Sequence, residues 1–160
     1  MTDYPLESPA AKTGMLIRKP VAEVFEAFIN PEITCKFWFS KGSAKLEAGK
    51  QVEWTWEMYN LIIPVNVKKI EPNKTIIVEW GDHPYMSTVE WSFTSLGEKG
   101  TYVSITNSGF HGSQAELIAQ VSDSTKGFTF LLAGLKAWLE HGIQLNLVVD
   151  AFPKELHLKA

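Results

Sequence analysis

The sequence predicts an α+β fold: a curved antiparallel sheet of about six strands wrapped around a long C-terminal helix, with two short helices after the first strand. Three observations predict it. Runs that alternate apolar and polar residues follow one another from 51 to 107 at hairpin spacing, with no helical pattern between them, so the sheet is antiparallel. Residues 125–142 then carry the longest helical pattern, with Phe128, Leu131, Leu132, Leu135, Trp138 and Leu139 at i, i+3, i+4, i+7 spacing. At 160 residues and 45% hydrophobic the chain is one domain with a core that needs no staples.

The elements follow in order. Residues 1–12 read as a loose leader and 13–18 as a short strand. Pro20 suits a first helical turn, and 21–30 place Val21, Val24, Phe25 and Phe28 on one helical face, ended by Asn30 and Pro31. Residues 31–39 form a second helical turn that carries Trp38 into the core, and 40–50 read as a loop. In 51–58, Val52, Trp54, Trp56 and Met58 share one side of a strand while Glu53, Thr55 and Glu57 share the other. Strands are expected at 61–70, 75–80, 86–94 and 101–107, with turns at 71–73, 81–85 and 97–100; Pro64 inside the second of these five strands suggests an edge position or a bulge. Val89, Trp91 and Phe93 share one face, and so do Val103, Ile105 and Asn107. Residues 113–122 are a weak helical piece. Ser124 or Thr125 can cap the long helix, and Gly142 stands where a left-handed residue ends one. The tail 144–160 is too apolar to float and is expected to pack on this domain, residues 13–143, or on a second copy.

Composition narrows the function classes. A net charge of −3 without a basic block argues against nucleic acid or an anionic membrane as partner, and no apolar run is long enough to span a bilayer. One cysteine, Cys35, allows no internal disulfide; with no signal-like leader, a cytoplasmic setting is expected. The four histidines, His83, His111, His141 and His157, are scattered, so no metal and no cofactor are expected. A GxSxG motif and a phosphate-binding loop are both missing. No catalytic residue is assigned.

What remains is an apolar interior. Phe25, Trp54, Trp56, Met58, Val65, Trp91, Phe93 and Ile105 from sheet and first helix would meet Phe128, Leu132 and Leu135 from the long helix. They either interlock as a solid core or line a slot for an apolar ligand. Asn107, at an inward phase, either satisfies itself on backbone or orients that ligand.

The element order, with certain stretches, resembles the START-like or Bet v 1-like helix-grip superfamily, in the branch of the activator of Hsp90 ATPase C-terminal domain. Those stretches are 20–28 followed by Asn30-Pro31-Glu32, the trio Phe37-Trp38-Phe39, the hairpin from Glu71-Pro72-Asn73 to Glu79-Trp80, Asn107-Ser108-Gly109-Phe110, and 127–139 with Gly142. The resemblance spans about residues 13–143. It implies a cavity between sheet and long helix that holds hydrophobic or amphipathic small molecules. Some members are polyketide cyclases or aromatases, and the namesake, which carries an additional N-terminal domain, stimulates a chaperone ATPase; at 160 residues this chain is expected to lack that domain and the full co-chaperone role. Asn107 stands where histidine is common, which argues against a proton-transfer role there. The expectation is a non-catalytic module binding an apolar small molecule. A cyclase-like enzyme and a chaperone-interaction domain are the alternatives, and a homodimer through residues 145–152 is the assembly to test.

Overall fold

The computed structural model describes residues 8–81 and 85–157. The expectations for 1–7, for the turn at 82–84 and for 158–160 lie outside those residues. Strand β1 (Ala11–Ile17) leads to helices α1 (Val21–Ile29) and α2 (Pro31–Thr34). Strands β2 (Lys41–Gly42), β3 (Gln51–Trp56), β4 (Leu61–Glu71), β5 (Thr75–Trp80), β6 (Ser87–Ser95) and β7 (Thr101–Ser108) follow, then helix α3 (Gln114–His141) and the short helices α4 (Leu147–Ala151) and α5 (Lys154–His157). The seven strands form one antiparallel sheet in the order β1-β7-β6-β5-β4-β3-β2, with α3 packed on it. This is the predicted architecture with one more strand.

The differences have local causes. Strand β1 starts two residues earlier than expected because Ala11 and Lys12 pair with Asn107 and Thr106. The added strand β2 lies in the stretch read as a loop. Its flanking serines extend the ladder: Ser40 Oγ donates to Thr55 O at 2.7 Å, and Ser43 Oγ accepts from Glu53 N–H at 2.8 Å. Strand β3 ends at Trp56, and Glu57–Tyr59 turn as a 3-10 helix closed by Asn60 at φ 51°. Met58 therefore leaves the Trp54–Trp56 phase.

Pro64 sits in an interior strand. Its partner Glu53 directs both backbone groups at Ser43, so Pro64 N faces away from β3, and β5 begins its pairing one residue later, at Val65. No ladder bond is lost there. The bulge in β4 falls instead between Val67 and Lys69.

Helix α3 fuses two expected pieces into 28 residues. Ser113, not Ser124 or Thr125, caps it by accepting from Glu116 N–H at 3.2 Å. The two residues read as caps have other partners: Ser124 Oγ donates to Asn107 Oδ1, and Thr125 Oγ1 donates to Val121 O at 2.7 Å, within the helix. Gly142 ends the helix at φ 67°, as its position predicts. The face Phe128, Leu131, Leu132, Leu135 is buried, whereas Ile118 in the first half is 64% exposed.

Candidate functional site

The concave face of the sheet is filled by rings. Helix α2 and its following turn deliver Trp38, whose backbone N–H donates to Thr34 O at 3.0 Å. Its ring lies 4.9 Å from Trp54, 5.5 Å from Trp56, 5.8 Å from Trp80, 6.1 Å from Trp91 and 5.9 Å from Phe128, centroid to centroid. A second group joins Phe25 to Phe93 at 5.1 Å and Phe28 to Phe37, Trp91 and Phe93 at 5.7 to 5.9 Å. The edge-to-face pairs among them, such as Trp38 with Trp54, Trp56 and Trp91, contribute about 0.5–1.5 kcal/mol each beyond the area they bury. On the α1 side the rings interlock.

On the α3 side space remains. One pocket, about 220 Å³, lies between Trp56, Trp80, Gly127 and Phe130 and is covered by Val148 and Phe152 from the tail. A second, about 270 Å³, lies beyond it against Trp80, Asn107, Asp123, Ser124, Gly127 and Phe128. The two share Trp38, Trp80 and Gly127. A Cβ placed on Gly127 would meet nothing within 4 Å. A third space, about 260 Å³, lies between the turn after α2 and residues 144–149, next to Met58 and Gly134. A fourth, bounded by Phe28, Thr34, Leu46, Trp54, Ile76 and Trp91, is too small to admit water. Trp38 borders all four.

The polar groups are few. Asn107, 2% exposed, donates through Nδ2 to Ser87 Oγ at 3.0 Å and to Thr88 O at 2.9 Å, and accepts from Ser124 Oγ at 2.8 Å. The Thr88 carbonyl can only accept, which fixes the orientation of the amide. So Asn107 is held by β6 and α3 while bordering the second pocket. Trp91 Nε1 is buried with no hydrogen-bond partner. Such an orphan donor costs about 1–3 kcal/mol. At the rim, Tyr59 donates its hydroxyl to Val148 O and packs its ring 6.1 Å from Phe152. Burial first, and the Asp150 charge second, hold its pKa above the ordinary tyrosine value. Among the described residues no group of three or more His, Cys, Asp or Glu is placed to hold a metal, and no helix is long and apolar enough to cross a membrane.

The residues singled out from sequence divide accordingly. Trp56 lines the first pocket, Asn107 and Phe128 the second, Met58 the third, and Trp54 and Trp91 the small void. Phe25, Val65, Phe93, Ile105, Leu132 and Leu135 are buried outside these linings. Trp38, Trp80, Gly127 and Ser124 were not among the predicted site residues. Trp80 had a signal, since it continues the Ile76–Val78 phase of β5. Gly127 shows in the sequence only as a gap in the apolar spacing of the helix.

The chain matches the family described as "Activator of Hsp90 ATPase homolog 1-like protein" over residues 18–140. It belongs to that family. Among solved structures it is similar to protein SSP2350 of Staphylococcus saprophyticus, with 31% identity over 86% of this chain and 96% of that one, at a TM-score of 0.74. The fold is shared with the Aha1 dimer of Colwellia psychrerythraea at 17% identity, over 84% of this chain and 98% of that one, at a TM-score of 0.73. It is also shared with DynU16, a putative protein of the dynemicin biosynthetic locus, at 21% identity over 84% of this chain and 48% of that one, with a TM-score of 0.74. No match was found among curated proteins. In this chain two short helices and one long helix complete the antiparallel sheet, and the two pockets that share Gly127 lie between α3 and the end of β5.

Proposed function

We propose that the groove between α3 and β5 holds a hydrophobic or amphipathic small molecule and that the chain is a binding module that performs no reaction on it. The observation that carries this reading is Gly127. It leaves a gap in α3 where two apolar pockets meet over Trp80, and a Cβ there would meet no atom within 4 Å. A helix interior disfavours glycine by about 1 kcal/mol relative to alanine, so the gap is kept at a cost in stability. Asn107, Ser124 and Asp123 give the second pocket one polar end, which suits an amphipathic molecule. The test is titration with 1-anilinonaphthalene-8-sulfonate. Gly127→Leu fills the gap and is expected to weaken binding at least about tenfold, the loss of roughly 1.4 kcal/mol of contact, while raising the melting temperature. Unchanged affinity would overturn the reading.

A second reading concerns the surface. Ile143, Leu145, Val149, Phe152 and Leu156 are all exposed along the tail, and that apolar run suits a second copy of this chain. Light scattering of the wild type against Leu145→Asp/Leu156→Asp tests it: a dimer that the double variant dissociates supports the reading, and a monomeric wild type removes it. The chaperone named in the family description is the alternative occupant of the same surface, assayed as ATPase stimulation.

A further inference from the structure

Helix α3 runs alongside β1, and their contacts keep a fixed pace. Thr129 Oγ1 meets Thr13 Oγ1 at 2.9 Å, Lys136 Nζ donates to Leu16 O at 2.9 Å, and Glu140 accepts from the Arg18 N–H at 3.1 Å. Between the first and last of these contacts the helix advances from 129 to 140 and the strand side from 13 to 18. Both steps cover roughly 17 Å, at about 1.5 Å per helical and 3.3 Å per extended residue. The helical step is also close to three whole turns, so Thr129 and Glu140 lie in one row. The same step back from Thr129 reaches Ile118. The row that faces β1 therefore continues to Ile118, but β1 itself begins at Ala11. Ile118 is 64% exposed, and no other large apolar side chain of α3 is exposed. Leu117 beside it is half-buried.

The matching step back from Thr13 reaches Ser8. The chain that leads into β1 thus arrives at the level of Ile118 just where residues 1–7 join it. That segment carries Tyr4-Pro5-Leu6. From Thr13 back to Leu6 an extended chain reaches up to about 23 Å, against the roughly 17 Å required, which leaves slack for bends at Pro5 and Pro9. We propose that residues 1–7 strap across the first half of α3, with Leu6 seated on Ile118 and Leu117. A second copy of the chain is the poorer occupant. A stable interface between chains buries about 1,200 Å² or more in total, and one isoleucine with the edge of a leucine falls far short. A tethered segment needs no such area, because its tether keeps it at high effective concentration. Residues 117–122 lead directly into Asp123 and Ser124, which wall the second pocket, so the strap also steadies that wall. The docking is independent of what the pocket holds.

The full chain with labelled methyl groups is expected to show a through-space NMR contact between Leu6 and Ile118. Leu6→Asp, distant in sequence from α3, should quicken amide exchange across 117–122 by about five- to thirtyfold, the range for partly burying a leucine, while β3 to β7 keep their protection. Adding Leu6→Asp to Ile118→Asp should quicken it no further, because the two residues form one contact. Absence of the methyl contact, with unchanged exchange in Leu6→Asp, overturns the proposal. Protection of 117–122 that rises with protein concentration and ignores Leu6→Asp assigns Ile118 to a second copy and overturns it as well.

Discussion

The Glu140 carboxylate accepts from Lys136 Nζ at 2.7 Å and from the Arg18 backbone N–H at 3.1 Å, while Lys136 Nζ also donates to Leu16 O at 2.9 Å. Two side chains of α3 are thus tied to the end of β1. Burial pushes the Glu140 carboxyl pKa up. The Lys136 hydrogen bond, the Arg18 N–H and the charges of Lys136 and His141 outweigh it, so the pKa lies below the ordinary glutamate value. A carboxyl depressed in the folded state adds stability above its unfolded pKa, and that stability disappears as pH falls through the folded value. Glu140→Gln is expected to melt lower than the wild type at neutral pH and to lose less on acidification. Melting temperatures from pH 7 to pH 3 check this, and parallel curves would refute it. Asn107 shows how far a single residue is legible. Alternation placed it inward, and it is buried. Its partners Ser87, Thr88 and Ser124 come from a neighbouring strand and a helix, and no local pattern announces them.

Elements were legible where periodicity alone decides them. The strands from β3 to β7 and the face Phe128, Leu131, Leu132, Leu135 follow from spacing. The start of α3 did not, because Ser124 and Thr125 are cap-type residues whose hydroxyls are engaged elsewhere, and only tertiary contacts reveal that. Strand β2 was missed for the same kind of reason: two residues carry no period. Within α3, two glycines give a test with opposite signs. Gly127 faces open space, so Gly127→Ala gains helix propensity without a collision and is expected to stabilise by about 0.5–1 kcal/mol. A Cβ on Gly134 would lie 3.0 Å from Phe37 O and 3.2 Å from Phe37 Cβ, at the buried contact of α3 with the turn after α2. Gly134→Ala is therefore expected to lose more by overpacking than it gains, a net cost of about 1 kcal/mol. Chemical denaturation of both variants measures the difference, and a shift of the same sign in both would show that the contact at Gly134 relaxes freely.

At the scale of the whole molecule, the chain after Gly142 turns back across the open side of the domain. Helix α4 packs beside α3 and brings Val148 and Phe152 over the first pocket. A five-residue helix leaves its carbonyls largely without internal partners, and Tyr59 supplies one to Val148 O. Lys126 Nζ, 5.1 Å from the centre of the Phe152 ring, holds the same segment from the α3 side. A phenol is protonated in the neutral range, and burial with the nearby Asp150 charge raises the Tyr59 pKa further, so the donor of this bond is retained there. The apolar run of the tail was plain in the sequence, but which surface it covers depends on Tyr59, almost ninety residues earlier. Because α4 adds few buried side chains, its closure is a local equilibrium separable from global unfolding. Tyr59→Phe removes the hydrogen bond and keeps the ring. It is expected to cost about 0.5–1.5 kcal/mol locally. Amide exchange should quicken across 147–151 by about two- to tenfold while β3 to β7 keep their protection, and anilinonaphthalenesulfonate should enter the first pocket faster. Faster exchange spread evenly over the sheet would place the tail inside the cooperative core instead, and the pocket beneath it would then open only when the whole domain does.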